Sequence, residues 1–183
     1  MATNSKPRLS RDAIVTMGIA VLEQDGPDGL SARRLASRLG CEAMSLYRHV
    51  SSMDDLQDAM VDHLLGAVAP PPGVDPAAIP IQRAAEGFLD LAQHFPNSFA
   101  LIATRPWRTP HAVAAAQAQV DRFRALGDDE ATAAAQARAL AAYLNGAGLA
   151  LAATRRAGAD TSAVRADLEA GLQRLLDRPD AAA

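Results

Sequence analysis

The chain has 183 residues, is 49% hydrophobic and 21% charged, and carries a formal net charge of −3. That composition can bury a core in one compact unit or in a small head with a larger body, and it excludes a disordered chain. Apolar stretches such as Leu149 to Ala153 fall far short of the roughly 20 residues that cross a bilayer, and Met1 is followed by polar residues rather than a signal core, so a cytoplasmic protein with no membrane partner is expected. The one cysteine, Cys41, excludes an internal disulfide and a thiolate metal cluster, and the four histidines are too scattered for a ligand motif; no metal and no cofactor is expected. Charge is distributed unevenly. Residues 1–53 hold seven Lys/Arg against five Asp/Glu (+2), and residues 54–183 hold eleven against sixteen (−5), so only the first part suits a polyanion.

Apolar residues recur at helical spacing along nearly the whole chain and no alternating β-branched run reads as a strand, which predicts an all-α fold. Residues 1–8 read as a disordered basic arm. Ser10 caps a first helix whose inward stripe is Ile14, Met17, Val21 and Leu22, stopped by Gly26-Pro27. Ser31 caps a short second helix with Ala32, Leu35, Ala36 and Leu39 on one side, ended at Gly40. A third helix is expected from about Glu42 to His49, and Ser52 with Asp55 forms a capping-box-like start to a fourth through Leu56, Met60 and Leu64. These make a head over 9–66. Pro70-Pro71-Pro72-Gly73 and the following Pro76 and Pro80 cannot sit inside a helix, which predicts a linker over 67–80. A body follows over 81–178, with helices at about 81–94, 97–104, 110–126, 129–156 and 162–177, punctuated by Pro96, Pro106, Thr109-Pro110, Gly127, Gly158 and Pro179.

Helices two and three, joined by a turn of about three residues at Gly40, have the dimensions of a helix-turn-helix, whose second helix enters the DNA major groove. At about 100° per residue, Leu46 and Val50 face inward, Met44 with Arg48 and Ser45 with His49 lie on the opposite half, and Tyr47 flanks them. The outer half thus offers hydroxyl, guanidinium and imidazole groups to DNA. Other readings stand beside this one: Tyr47 as a core aromatic, His49 as a cation at a helix C-terminus, Arg33, Arg34 and Arg38 as a solvated face, Cys41 as a small packed residue or a redox sensor.

The run Gly29-Leu30-Ser31-Ala32-Arg33-Arg34-Leu35-Ala36, then Leu39-Gly40, then Ser45-Leu46-Tyr47-Arg48-His49-Val50 with Leu56 resembles the DNA-binding head of the tetracycline-repressor (TetR) family over residues 9–66. The resemblance implies a transcriptional regulator rather than an enzyme, a repressor that binds a palindromic duplex operator as a homodimer and is released by a small-molecule effector. It places DNA contacts at Ser31, Arg33, Ala43, Met44, Ser45, Tyr47, Arg48 and His49. Met53 stands where the family usually has a phosphate-binding lysine, so Arg8, Arg11 and Lys6 are the expected substitutes for backbone contact. In the body, Thr104-Arg105-Pro106 and Gly146 resemble the tetracycline-binding type of regulatory domain. On that alignment Phe88, Leu101, Thr104 and Gln119 line a ligand pocket, with Trp107 close by. Leu101 replaces a metal-holding histidine, which speaks against a tetracycline–magnesium ligand. His94 and His111 are read as helix-end residues or pocket residues, and Trp107 as core or ligand contact. The resemblance also makes the helix from Ser52 to Leu65 the moving link between ligand and DNA.

Leu140, Leu144, Ala147, Gly148 and Leu151 of the long helix, with Val164, Leu168, Leu172 and Leu175 of the last, are expected to form a four-helix dimer interface, or else to serve the monomer's own core. The rival from another class is a helical enzyme or small-molecule carrier without DNA function, for which no paired metal motif, phosphate-cradling glycine loop or activated nucleophile is found.

Overall fold

The structure, a computed structural model, describes residues 9–177. The expected arm over 1–8, with Lys6 and Arg8, lies outside the described residues. Within them the chain is all-α: α1 (Arg11–Asp25), α2 (Ala32–Leu39), α3 (Ala43–Leu46), α4 (Met53–Ala67), α5 (Ile81–His94), α6 (Phe99–Thr104), α7 (Pro110–Ala125), α8 (Glu130–Arg156) and α9 (Ser162–Leu176). Two compact units divide inside α4, one ending at Met60 and the other beginning at Val61. The proline-rich segment therefore belongs to the second unit.

In the first unit the apolar stripes meet as one core, with Ile14 and Val21 of α1, Leu35 of α2, Leu46 of α3 and Leu56 and Met60 of α4 all buried. Full burial of each such side chain contributes about 1.5–3 kcal/mol, which these short helices need because none is long enough to persist alone. Gly18 lets α1 and α4 approach, since a Cβ there would lie 2.9 Å from Met60 Sδ. The caps are the ones the sequence signals. Ser10 Oγ accepts from Ala13 N at 3.1 Å and Ser31 Oγ from Arg34 N at 3.3 Å. Ser52 Oγ accepts from Asp55 N at 3.0 Å, while the Asp55 carboxylate turns back to Ser51 N at 2.7 Å. α2 ends with Gly40 at φ 64°, and Cys41 N donates to Ala36 O at 2.9 Å, closing a Schellman turn that only glycine enters without strain.

The third helix differs from its expected length. Only Ala43–Leu46 is α-helical, and Tyr47 to His49 continue as turns in which Arg48 N donates to Ser45 O and His49 N to Leu46 O. At the end of this segment His49 O accepts from Arg11 Nη1 at 2.9 Å, and Val50, whose N–H donates to Leu46 O at 3.1 Å, drops into the core.

In the second unit α5, α6 and α7 pack around α8, the central helix. Leu89, Phe99, Ile102, Leu140, Leu144 and Leu151 fill this core. Gly148 accepts the Phe99 ring directly: a Cβ would sit 2.1 Å from Phe99 Cζ. Of the two readings of the α8 stripe, the structure fits the body's own core: Leu140, Leu144, Ala147 and Leu151 are buried within the unit, and Phe99 of α6 meets Gly148. The outward face of α8 carries Ala135, Ala139, Ala142, Gly146, Ala150 and Ala153 instead. On α9 only Leu172 is fully buried, Val164 and Leu168 are half-buried, and Leu175 is exposed. Tyr143 Oη donates to Leu168 O at 2.6 Å, and Gly171 leaves room for that phenol. The proline-rich segment is not wholly irregular. Pro76–Ala78 forms one 3-10 turn, with Asp75 Oδ1 accepting from Ala77 N, and Arg122 of α7 clamps it by donating Nε to Ile79 O at 2.7 Å and Nη2 to Pro76 O at 2.5 Å. No described helix is long and apolar enough to cross a membrane.

Candidate nucleic-acid interface and ligand cavity

The helix-turn-helix presents its expected face. Leu46 and Val50 are buried, whereas Met44 is 73% and Tyr47 40% exposed, so Tyr47 is no core aromatic. Arg48, Ser31 and Arg33 are exposed; Ala43, Ser45 and His49 are half-buried on the same short segment. Because the helix gives way to turns after Leu46, Tyr47 and Arg48 are carried on tighter backbone than an α-helix through His49 would provide.

Ion pairs sort the basic residues of the head. Arg34 Nε and Arg38 Nη2 both reach Asp25 Oδ2, at 2.8 and 3.3 Å, and Arg38 Nη1 donates to Gln24 Oε1. Arg11 forms a bidentate pair with Asp55 at 2.5 and 3.0 Å, which holds the Asp55 carboxyl well below the usual carboxylate range; the Ser51 amide helps, and burial opposes. Arg11 is thus a structural clamp from α1 onto α4 and the end of the recognition segment. Arg33 and Arg48 have no carboxylate partner among the described residues, so the cations at matched DNA-contacting positions are also the uncommitted ones.

The second unit encloses a cavity of about 780 Å³, within the size range of small-molecule sites. Phe88, Trp107 and Gln119 line it, joined by His111, for which a pocket place was one of two readings, and by Arg122 and Asn145, which the sequence reading did not place there. Phe88 and Trp107 stand with ring centroids 6.1 Å apart, and Trp107 Nε1 donates to Ile102 O at 2.9 Å, which fixes the indole. Leu101 and Thr104 are not on this wall. Ala103 and Arg105 represent that segment, while Thr104 Oγ1 folds back onto Ala100 O at 2.6 Å, as a hydroxyl at a helix end often does. His94 bonds Asp90 O through Nδ1 and is a helix-end residue. His111 does more. Its backbone N–H and Nδ1 meet the two carboxylate oxygens of Asp62 at 2.8 and 2.9 Å, so an α4 carboxylate, not Thr109, caps α7. Burial pushes the Asp62 carboxyl up, but the bonds from His111, with a contribution from Thr109, together outweigh it and leave it below its ordinary value. The described residues include no group of three or more His, Cys, Asp or Glu that could hold a metal ion.

No family model matches the chain. It is 36% identical over 146 residues to a helix-turn-helix transcriptional regulator of Saccharopolyspora erythraea, covering 79% of this chain and 61% of that protein. Its head is 38% identical over 58 residues to the class D tetracycline repressor protein of Escherichia coli, covering 32% of this chain and 27% of that one. The chain therefore matches less than two thirds of either relative's length. In three dimensions it resembles a TetR variant from Acinetobacter baumannii solved with minocycline, with a TM-score of 0.76 at 23% identity over 92% of this chain and 94% of that one, a likeness that shows the fold. The head motif, the helix order among the described residues and the match to the Saccharopolyspora regulator agree: the chain is similar to helix-turn-helix transcriptional regulators, to tetracycline repressors in the sequence of its head and to TetR proteins in its fold.

Proposed function

We propose that the chain is a sequence-specific DNA-binding transcriptional repressor, acting as a homodimer and released from a palindromic operator by a small molecule held in the body. The observation that carries this reading is the division of labour on the recognition segment: Leu46 and Val50 anchor it in the core while Met44, Tyr47 and Arg48 stand exposed. A side chain as apolar as Met44, 73% exposed beside an uncommitted arginine, is at home against thymine methyls and phosphates. Ser31, Arg33, Ala43, Ser45 and His49 complete the contact set. A twofold dimer would present two such segments to half-sites one helical turn apart. The relatives' names, a transcriptional regulator and a tetracycline repressor, and the minocycline bound by a structural neighbour support the regulatory and ligand-responsive parts.

The test begins with selection of bound duplex from random sequence, which should enrich a palindrome. On that site, replacing Tyr47 and Arg48 together with alanine should weaken specific binding by about 100-fold or more, since each good base contact is worth about 1–3 kcal/mol. Far-ultraviolet circular dichroism should stay unchanged, both side chains being exposed. A folded double variant that still shifts the site would overturn the assignment, and failure to enrich any sequence would favour a helical small-molecule carrier.

A further inference from the structure

The cavity wall is unusual in its charge. Arg122 is 8% exposed and donates two of its N–H groups to the carbonyls of Ile79 and Pro76, yet no carboxylate lies within ion-pair distance of it among the described residues; Asp75 acts on it only through space. Arg138 also reaches the wall, as does Arg83, which is paired with Glu86 at 3.0 Å; the one carboxylate on the wall among the described residues, Asp90, is held by Arg165 Nη1 at 2.5 Å. A buried guanidinium without a contact anion is an unfavourable arrangement in the empty protein, and one that an arriving anion relieves.

Two further wall residues are incomplete in the opposite sense. The side-chain oxygens of Gln119 and Asn145 are buried and accept no hydrogen bond. Gln119 precedes Arg122 by three positions on α7, so the two share a helix face, while Asn145 comes from α8. Buried acceptors of this kind call for an O–H or N–H donor. Trp107, its indole N–H already spent on Ile102, can offer a ligand only its ring, and Phe88 stands beside it.

Taking the cavity as the effector site, on which this inference rests, we propose that its ligand is a hydroxylated aromatic acid. The rings lie against Phe88 and Trp107, the acid group meets Arg122, and the hydroxyl donates to Gln119 or Asn145. Burial lowers the Arg122 pKa from its ordinary value, with Asp75 opposing, but guanidinium remains a cation throughout the working range.

The experiment uses the full chain and Trp107, the only tryptophan, as the reporter. Fluorescence is titrated with 6-hydroxy-2-naphthoate, whose hydroxyl is too far from its carboxylate to bond it internally, with its carboxamide and with unsubstituted 2-naphthoate. The hydroxy acid should bind about tenfold or more tightly than the amide, and several-fold more tightly than the acid lacking the hydroxyl. Arg122→Gln should abolish the preference for acid over amide. Because Arg122 also clamps two linker carbonyls, Asn145→Asp serves as a variant that leaves the clamp intact; its new carboxylate should repel the acid more than the amide and so narrow or reverse the preference between them. Equal affinity for acid and amide in the wild type, absence of any response, or an acid preference retained in both variants overturns the proposal. Operator retention measured on the same samples separates the two readings. Release by the amide as readily as by the acid sinks the ligand class alone, whereas tight acid binding with no release sinks the effector reading alone.

Discussion

The two units solve the problem of small size differently. The head, with helices of 4 to 15 residues, relies on polar punctuation: three serine caps, a glycine-closed turn and ion pairs that tie Arg11, Arg34 and Arg38 to acids on other elements. The body relies on a 27-residue central helix and on close approach, as where the far end of the Phe99 ring meets Gly148. The head can therefore spare an exposed, chemically varied surface for recognition, while the body has room for a cavity because one long helix carries most of its packing. A change of one methyl group should be felt strongly in the body and weakly on the recognition face of the head.

Gly148→Ala is the strongest test of that contrast. The added Cβ has nowhere to go without displacing the Phe99 ring, and overpacking of this kind costs about 1–3 kcal/mol or more. Thermal unfolding followed by Trp107 fluorescence should shift downward by several degrees, whereas Tyr47→Ala, exposed in the head, should shift the melting by little. If Gly148→Ala melts with the wild type, the body is more plastic than its packing indicates.

A smaller effect is expected at the clamp between α1 and α4. Asp55 has a folded pKa depressed below its ordinary value of 3.8, so its contribution is present above that value and is lost as pH falls below it toward the folded pKa. Arg11 is nearly half exposed, so the pair with its amide bond to Ser51 is worth about 1–2 kcal/mol. Asp55→Asn should lower stability by that amount at neutral pH, and the gap between wild type and variant should narrow steadily as pH falls below 3.8. A gap that persists in acid would mean that the clamp acts through shape rather than charge.

What the sequence revealed follows the same division. Caps at Ser10, Ser31 and Ser52 and the stop at Gly40 are local signals, and each is where the chain pattern puts it. The hold of Arg11 on His49 O at the end of the recognition segment was hidden because the two residues lie 38 apart in the chain. The capping of α7 by Asp62 was hidden for the same reason, at a separation of 49. In α8, alanines and glycines occur on every face, so periodicity alone could not tell a surface for Phe99 from a surface for a second chain. Of the ligand wall, resemblance indicated Phe88, Trp107 and Gln119; Arg122 and Asn145 emerged only once α7 and α8 were seen side by side.

The finest distinction lies between neighbouring arginines of one helix. Arg33 and Arg34 are adjacent on α2 and equally basic, but Arg34 is tied to Asp25 at 2.8 Å and Arg33 pairs with no acid among the described residues. If Arg33 meets a phosphate, it displaces a condensed counterion on binding, and each such contact contributes about −0.9 to the slope of log affinity against log salt. In a dimer the contact occurs twice, so Arg33→Ala should make the slope shallower by roughly 1.8. Arg34→Ala removes a charge already answered within the protein, and its slope should stay near that of the wild type. Affinities for the selected operator across a salt series, with both variants side by side, give the comparison directly. Equal slopes for the two would show that an internal ion pair does not withhold an arginine from DNA, and would move Arg33 from backbone contact to the solvent face of α2.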